Sequence, residues 1–327
     1  MDKPMAKMVL EKGREKQPRR STEKPSVWQL GGLSFKEFGK RLWTNMDVNH
    51  DDTFGRAAEL GFWFFFAVFP GLVFLITLVG IIAGHHPGLQ NTLYNYIADT
   101  MPPMAWQLMQ HTLTEITKAA GGWKLAISIL AALWSASAGI STLMAVLSFA
   151  YHVEDRRSYF KERIVIAPLL TIALSILMIA AMAIILFGGI ATAWASHHGL
   201  GSVAVWSWKI AQYAVALFFV VLSFAILYYW APDVHQQKWY WITPGSITGV
   251  VLWIAASAGF RIYLHFFNSY AATYGSLGTV IILMMWFYIT SLALLIGAEI
   301  NAEIEHAAAE HGRADAKLKG EKEAPAA

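Results

Sequence analysis

Hydrophobic positions in this chain gather into six runs, at residues 57–83, 124–150, 164–195, 203–230, 241–267 and 276–302, separated by polar breaks. Each run is long enough to cross a bilayer. A helical residue rises about 1.5 Å and a hydrocarbon core is about 30 Å thick, so about 20 residues suffice. Backbone groups in lipid must find partners within the protein, and a helix supplies them within one segment. A transmembrane β-barrel would show short segments of alternating polarity, whereas these runs are continuous. The pattern predicts an all-α, polytopic membrane helix bundle with six transmembrane helices.

Two segments outside the runs also carry a period. Over residues 34–46, Phe35, Phe38, Leu42 and Met46 share one helical face and Lys36, Glu37, Lys40 and Arg41 the other. This predicts an N-terminal amphipathic helix lying in the inner interface, with Ser34 as its N-cap. Asp51 and Asp52 are placed to cap the first span. Between 84 and 123, Leu89, Leu93, Tyr96 and Ile97 form one stripe, and Trp106, Met109, Leu113 and Ile116 another. Met101-Pro102-Pro103 breaks between them, which predicts an external helical hairpin. Residues 1–33 and 306–327 read as disordered tails around a membrane domain at 34–305.

Composition narrows the chemistry. The 327 residues include no cysteine, which excludes disulfides and thiolate nucleophiles. The first 30 residues are charged and lack the apolar core of a signal peptide, so the first span is the expected insertion signal. Basic residues crowd the segment before the first span, the turn Arg156, Arg157, Lys161 and Arg163, and the C-terminal tail. The positive-inside rule then places both termini in the cytoplasm of a cell bounded by this inner, plasma membrane. Trp43, Trp230, Trp239 and Trp241 mark the inner edge, and Trp123, Trp194, Trp206 and Trp208 the outer edge. Trp134, Trp253 and Trp286 fall near mid-membrane, where indole N–H groups need internal partners. The second and fifth runs share LWSASAG at 133–139 and LWIAASAG at 252–259, as a three-plus-three inverted repeat would. Chance likeness of two alanine-rich helices gives the same pattern.

No phosphate loop, H-E-x-x-H or nucleophile elbow is present, and no enzyme activity or cofactor is expected. What remains are polar and helix-breaking residues at membrane depth. Pro70, followed by Gly71, should kink the first span and act as a hinge. Arg261 and His265 lie one turn apart in the outer half of the fifth span, where a charge reads as a contact for an anion or lipid phosphate unless it snorkels outward. Glu59 and Glu299 sit near the inner ends of the first and last spans, Glu299 within a polar run that includes Asn301. Together they are candidates for cation binding; the plainer alternative is bridging to Arg56 or Arg163. Gly245, Gly249 and Gly275 mark close helix approach. His85-His86 and His197-His198 lack the accompanying carboxylates of a metal site, and none is expected.

The segment from Ser269 to Glu305, SYAATYGSLGTVIILMMWFYITSLALLIGAEINAEIE, resembles the YihY/BrkB family of bacterial inner-membrane proteins. Pro244-Gly245, LWSAS at 133–137, Tyr151, Arg156-Arg157 and Phe69-Pro70 resemble it too. The resemblance spans roughly residues 35–305 and implies six spans with cytoplasmic termini. It carries two inherited labels, a virulence or serum-resistance factor and ribonuclease BN. Ribonuclease activity is not expected, because RNA cleavage needs an exposed metal or acid–base cluster beside a nucleic-acid groove. The expected function is transporter-like: movement of a small solute, ion or lipid past a cavity walled by the first, fifth and sixth spans. The alternative is a non-transporting envelope scaffold. The expected partners are the lipid bilayer and that small solute, with a homo-oligomer or an envelope protein left open and no nucleic acid.

Overall fold

The computed structural model describes residues 30–45, 52–82, 123–155, 157–197, 202–234, 241–266, 276–312 and 316–321. Among them are seven helices: α1 Phe35–Asn45, α2 Thr53–Ile82, α3 Trp123–Ala150, α4 Ala167–His197, α5 Ser202–Trp230, α6 Pro244–Phe266 and α7 Ser276–Glu310. A 3-10 turn, Leu30–Gly32, precedes α1, and a π-helical turn, Lys161–Ile166, leads into α4. No strand occurs among the described residues. The protein is an all-α membrane helix bundle. Among the described residues five helices, α3 to α7, are long and apolar enough to cross a membrane. The count of six expected from the runs rests on adding α2, an apolar helix of 30 residues. The external hairpin falls on residues outside those described, as do Asp51, Gly275, Trp239, His85, His86 and His198.

Helix ends form where the local chemistry satisfies orphan backbone groups. Asp52 Oδ1 accepts the Gly55 N–H at 3.2 Å and starts α2. Ser34 Oγ accepts from the Glu37 N–H at 3.4 Å and donates to its carboxylate at 3.2 Å, a cap for α1. At the end of α3, His152 takes a left-handed φ of 57°. Its N–H then reaches Phe149 O at 2.7 Å, and Val153 N–H reaches Ser148 O at 3.0 Å, the paired bonds of a Schellman stop. Gly312, with φ 83°, ends α7 through a 2.9 Å bond to Ala309 O.

Each long helix packs against its successor, and α7 closes the ring onto α2 while also touching α3. The shared core lies toward the end of the bundle where α2 begins and α7 ends, where Leu60, Leu143, Met144, Leu147, Tyr228 and Leu295 meet. Helix α2 continues through the half-buried Pro70 without interruption. A methyl group on Gly71 would stand 3.9 Å from Ala136 Cβ, an ordinary contact, so the space there does not demand glycine. The two LWxxxSAG-like segments sit differently. A Cβ on Gly139 would come within 2.9 Å of Ala67 Cβ, whereas Gly259 faces open space.

Helix α7 has 35 residues, about 52 Å of helix against a core of about 30 Å. Its C-terminal end gathers other elements. Phe38 and Leu42 of α1, with Leu30 and Leu33, pack on Ile296, Ile300 and Ile304 of α7. Gly31, at φ 64°, allows this approach, since a side chain there would lie 2.7 Å from Ile304 O. The expected interfacial helix is thus held to α7 by one edge of its apolar face, while Phe35 and Trp43 stay exposed. The chain beyond α7 returns over it: Ala316 packs on Ala308 and Ala309, and Lys317 is buried beside Glu305.

Candidate functional site at the C-terminal end of α7

The last membrane turns of α7 form a seam with α6 that only glycine permits. A Cβ on Gly245 would collide with Gly297 O, and one on Gly297 would lie 2.6 Å from Gly245 O and collide with the Tyr228 hydroxyl. Backbone therefore meets backbone, as small residues allow in membrane bundles. A Cβ on Gly249 would be 2.8 Å from the Tyr228 hydroxyl, so this position too lies tight against Tyr228. Tyr228 uses the space to donate a 2.8 Å bond to Leu294 O.

Asn301 caps α6 from α7. Its Oδ1 accepts the Gly245 N–H at 2.9 Å, and its Nδ2 donates to Thr243 Oγ1 at 3.0 Å. Thr243 and Ser246 complete the cap reciprocally: Ser246 N–H to Thr243 Oγ1 at 3.1 Å, and Thr243 N–H to Ser246 Oγ at 3.0 Å. Pro244 occupies the first helical position, where its missing N–H has no cost. The donors that open α6 are thereby satisfied within protein.

Around this seam lie buried ionisable groups. Glu299 and Glu303 are each 2 % exposed, and Arg41 of α1 approaches Glu303 at 3.5 Å and Glu310 at 2.7 Å. Lys317 pairs with Glu305. The Tyr151 phenol is fully enclosed beside Asn301, Glu305 and Glu299. Burial, reinforced by the Glu305 and Glu299 charges and opposed by the Asn301 hydrogen bond, pushes it well above the usual tyrosine range. It keeps its proton at neutral pH. The rings of His152 and His306 meet edge to face with centroids 5.4 Å apart.

The expected constellation does not assemble as one site. Gly245 and Gly297 are level in the seam, and Arg261 lies sixteen residues further along α6 from Gly245, so Arg261 and Glu299 stand roughly 25 Å apart along the bundle. Arg261 is exposed on α6. His265 lies one turn on in α6, and its side chain lies outside those described. Nor does Glu59 meet Glu299. Gly61 packs on Tyr288, which puts the two carboxylates roughly 13 Å apart along the bundle. Glu59, exposed, pairs with Arg56 at 3.5 Å, and the Arg56 guanidinium sits 4.3 Å over the Phe149 ring. Among the described residues no group of three His, Asp or Glu stands together as a metal cage would require.

Two arginines matter more than their place in a basic turn suggested. Arg157, 9 % exposed, grips Asp155 side-on, Nε to Oδ1 at 3.1 Å and Nη2 to Oδ2 at 2.5 Å, and donates to Ala231 O at 2.8 Å. Asp155 also takes the Ser148 hydroxyl at 3.3 Å, and Ser148 Oγ accepts the Asp233 N–H at 2.9 Å, tying α3 to the end of α5. Arg163 turns instead to α3, donating to Ser137 Oγ, Ser141 Oγ and Trp134 O. Trp134 was expected to need an internal partner; it is 44 % exposed, with this guanidinium 4.5 Å over its ring.

A family profile described as Virulence factor BrkB matches residues 46–321. The ribonuclease-like protein YfkH of Bacillus subtilis is 31 % identical over 266 residues, covering 81 % of this chain and 94 % of that one. A UPF0761 membrane protein of Xanthomonas oryzae pv. oryzae is 22 % identical over 267 residues, covering 82 % of this chain and 60 % of its own. One from Laribacter hongkongensis is 24 % identical over 246 residues, covering 74 % and 56 %. The chain thus spans nearly all of YfkH and less than two thirds of the two UPF0761 proteins. No solved structure matches it.

Proposed function

Because the chain belongs to the BrkB family of membrane proteins, we propose that it is a transporter-like protein of the bacterial inner membrane, moving a small solute, ion or lipid. Six spans, α2 to α7, carry it, and both termini face the cytoplasm, as the basic residues before α2, between α3 and α4 and after α7 direct. The observation that supports the reading is Glu299, a carboxylate 2 % exposed beside the α6–α7 seam. An ionisable group held there is costly, and such groups mark ion and proton pathways. Glu299 is the coupling carboxylate in this proposal, Asn301 and Tyr151 its neighbours, and the glycine seam the surface on which α6 and α7 slide. The reading is non-enzymatic: Glu303 and Glu305 face Arg41 and Lys317 rather than an open groove.

The test is proton flux in liposomes loaded with pyranine under a valinomycin-set potassium potential. The wild type should acidify the lumen faster than empty liposomes. Glu299→Gln should abolish the difference while keeping a monodisperse, folded protein. No flux above background in the wild type, together with normal growth of cells carrying Glu299→Gln, would remove the proposal. One feature favours an envelope scaffold instead. Phe35 and Trp43 stay exposed, at 85 % and 72 %, on a helix whose other side is fixed to α7. Cross-linking from position 43 to a single protein partner, with no flux, would select that reading.

A further inference from the structure

The most specific unassigned feature is Arg163, at the entrance of α4. Its Nη1 donates to Ser137 Oγ at 3.1 Å and Ser141 Oγ at 3.4 Å, and its Nη2 donates to Trp134 O at 2.9 Å. Ser137 Oγ itself bonds Trp134 O at 2.9 Å. The two nitrogens at the tip of the fork therefore hold adjacent oxygens on α3, end-on. Every one of these acceptors is neutral. The side edge of the fork, Nε–H with the second Nη2–H, has no acceptor among the described residues. This is the edge that suits two oxygens of one carboxylate or phosphate, and Arg157 shows the geometry six residues earlier, gripping Asp155 in that manner. Glu162, which adjoins Arg163 in sequence, feels its charge, but no carboxylate among the described residues makes a hydrogen bond or close ion pair with the Arg163 fork.

The surroundings identify the kind of anion. Leu130, Trp134, Tyr159, Phe160 and Ile164 are exposed apolar side chains around this entrance, between 44 % and 70 %. The cation lies within about one turn of the start of the α4 crossing, and its partners on α3 stand roughly 14–25 Å along that helix from its inner end. The adjoining π-helical turn is of a type that recurs at functional positions. A water-borne anion gains nothing from the apolar rim, whereas an amphiphile does. We propose that Arg163, preset by Ser137, Ser141 and Trp134, binds the phosphate of an anionic phospholipid, whose acyl chains lie along Trp134, Leu130 and Ile164. The site stands whether or not the protein moves a solute.

Native mass spectrometry from detergent supplemented with phosphatidylglycerol tests this. The wild type should retain the lipid with at least about tenfold higher affinity than Arg163→Gln, the size of one lost charge-assisted pair. Arg163→Lys should fall between them, because it keeps the charge and loses the fork. Lys209→Gln, which removes a cation beside Trp206 at the other end of the bundle, should bind as the wild type does. Inorganic phosphate at millimolar concentration should not displace the lipid; displacement would assign the site to a free anion. Equal retention by wild type and Arg163→Gln overturns the proposal. Should Arg163→Gln fail to fold, photoreactive phosphatidylglycerol on the wild type decides: labelling of peptides 130–141 and 159–167 supports the site, and labelling only elsewhere refutes it.

Discussion

Asn301→Ala is the sharpest test of how α6 is held to α7. The substitution removes the 2.9 Å bond to the Gly245 N–H and the 3.0 Å bond to Thr243 Oγ1. Gly245 is buried, so no water replaces the lost acceptor. An orphaned buried donor costs about 1–3 kcal/mol, and a second neutral bond about 1 kcal/mol, for a sum of about 2–4 kcal/mol. Carried over from the scaling of soluble domains, that is a drop in melting temperature on the order of 5–10 °C. Thermal unfolding in detergent, followed by the monodisperse fraction on size exclusion, reads it directly. Thr243→Val completes a double-mutant cycle. It removes the same Asn301–Thr243 bond, so the double variant should lose about 1 kcal/mol less than the sum of the singles. An Asn301→Ala protein melting within about 1 °C of the wild type, or strictly additive singles, would show that α6 does not depend on a cap supplied by α7.

Other consequences are checked the same way. Gly297→Ala forces a methyl into Gly245 O and the Tyr228 hydroxyl and should cost at least about 2–3 kcal/mol as an overpacked seam. Gly259→Ala meets open space and should melt at the wild-type temperature or up to about 1 kcal/mol above it through helix propensity. Equal melting of the two would refute the seam. Arg157→Gln strands Asp155 and opens the α3–α5 tie, at about 3–5 kcal/mol for a broken buried pair; loss of ordered protein on size exclusion is the readout. The Tyr151 phenol is held above its unfolded value of about 10. Its contribution is therefore complete below pH 10 and is lost above it, as the unfolded chain gives up a proton the folded one keeps, at up to about 1.4 kcal/mol per pH unit. Melting curves from pH 9 to 11.5 should fall more steeply for the wild type than for Tyr151→Phe, and parallel slopes would contradict the assignment.

The long helices were legible because the run of apolar residues is itself the signal, and lipid leaves the backbone no other choice. The glycines of the seam were legible as well, since Gly245 and Gly249 carry the spacing of close approach. What could not be read was which faces turn inward. Arg261 and Glu299 carry equal weight as charges in a string of letters, yet one is exposed and the other buried, because helix rotation is set by neighbours that only the tertiary fold supplies. Arg163 was invisible for a related reason. Its partners, Ser137, Ser141 and Trp134, lie more than twenty residues away in sequence, and serines in a span read only as small. The full length of α7 was not legible because Glu303, Glu305, His306 and Glu310 end the apolar run, although Arg41 and Lys317 arrive from both flanks to neutralise Glu303 and Glu305.

The separation of Arg261 from Glu299 changes what a transport mechanism would require. A single cavity touching both charges would have to extend roughly 25 Å along the bundle, and the apolar contacts of Leu60, Leu143, Leu147 and Leu295 fill its inner part. A carboxylate sealed behind that packing exchanges with water only if the packing opens. The contact beside Glu299 that would have to part is the α6–α7 seam, where backbone meets backbone at Gly245 and Gly297 and the Tyr228 hydroxyl and the Asn301 amide fill the remaining space. Opening it breaks the Asn301 cap, so the same asparagine that stabilises the closed bundle would set the barrier to ion access. Flux and stability should therefore move in opposite directions in Asn301→Ala: a less stable protein that exchanges protons at Glu299 faster. A variant that loses stability and flux together would separate the cap from the path and leave Glu299 a structural charge.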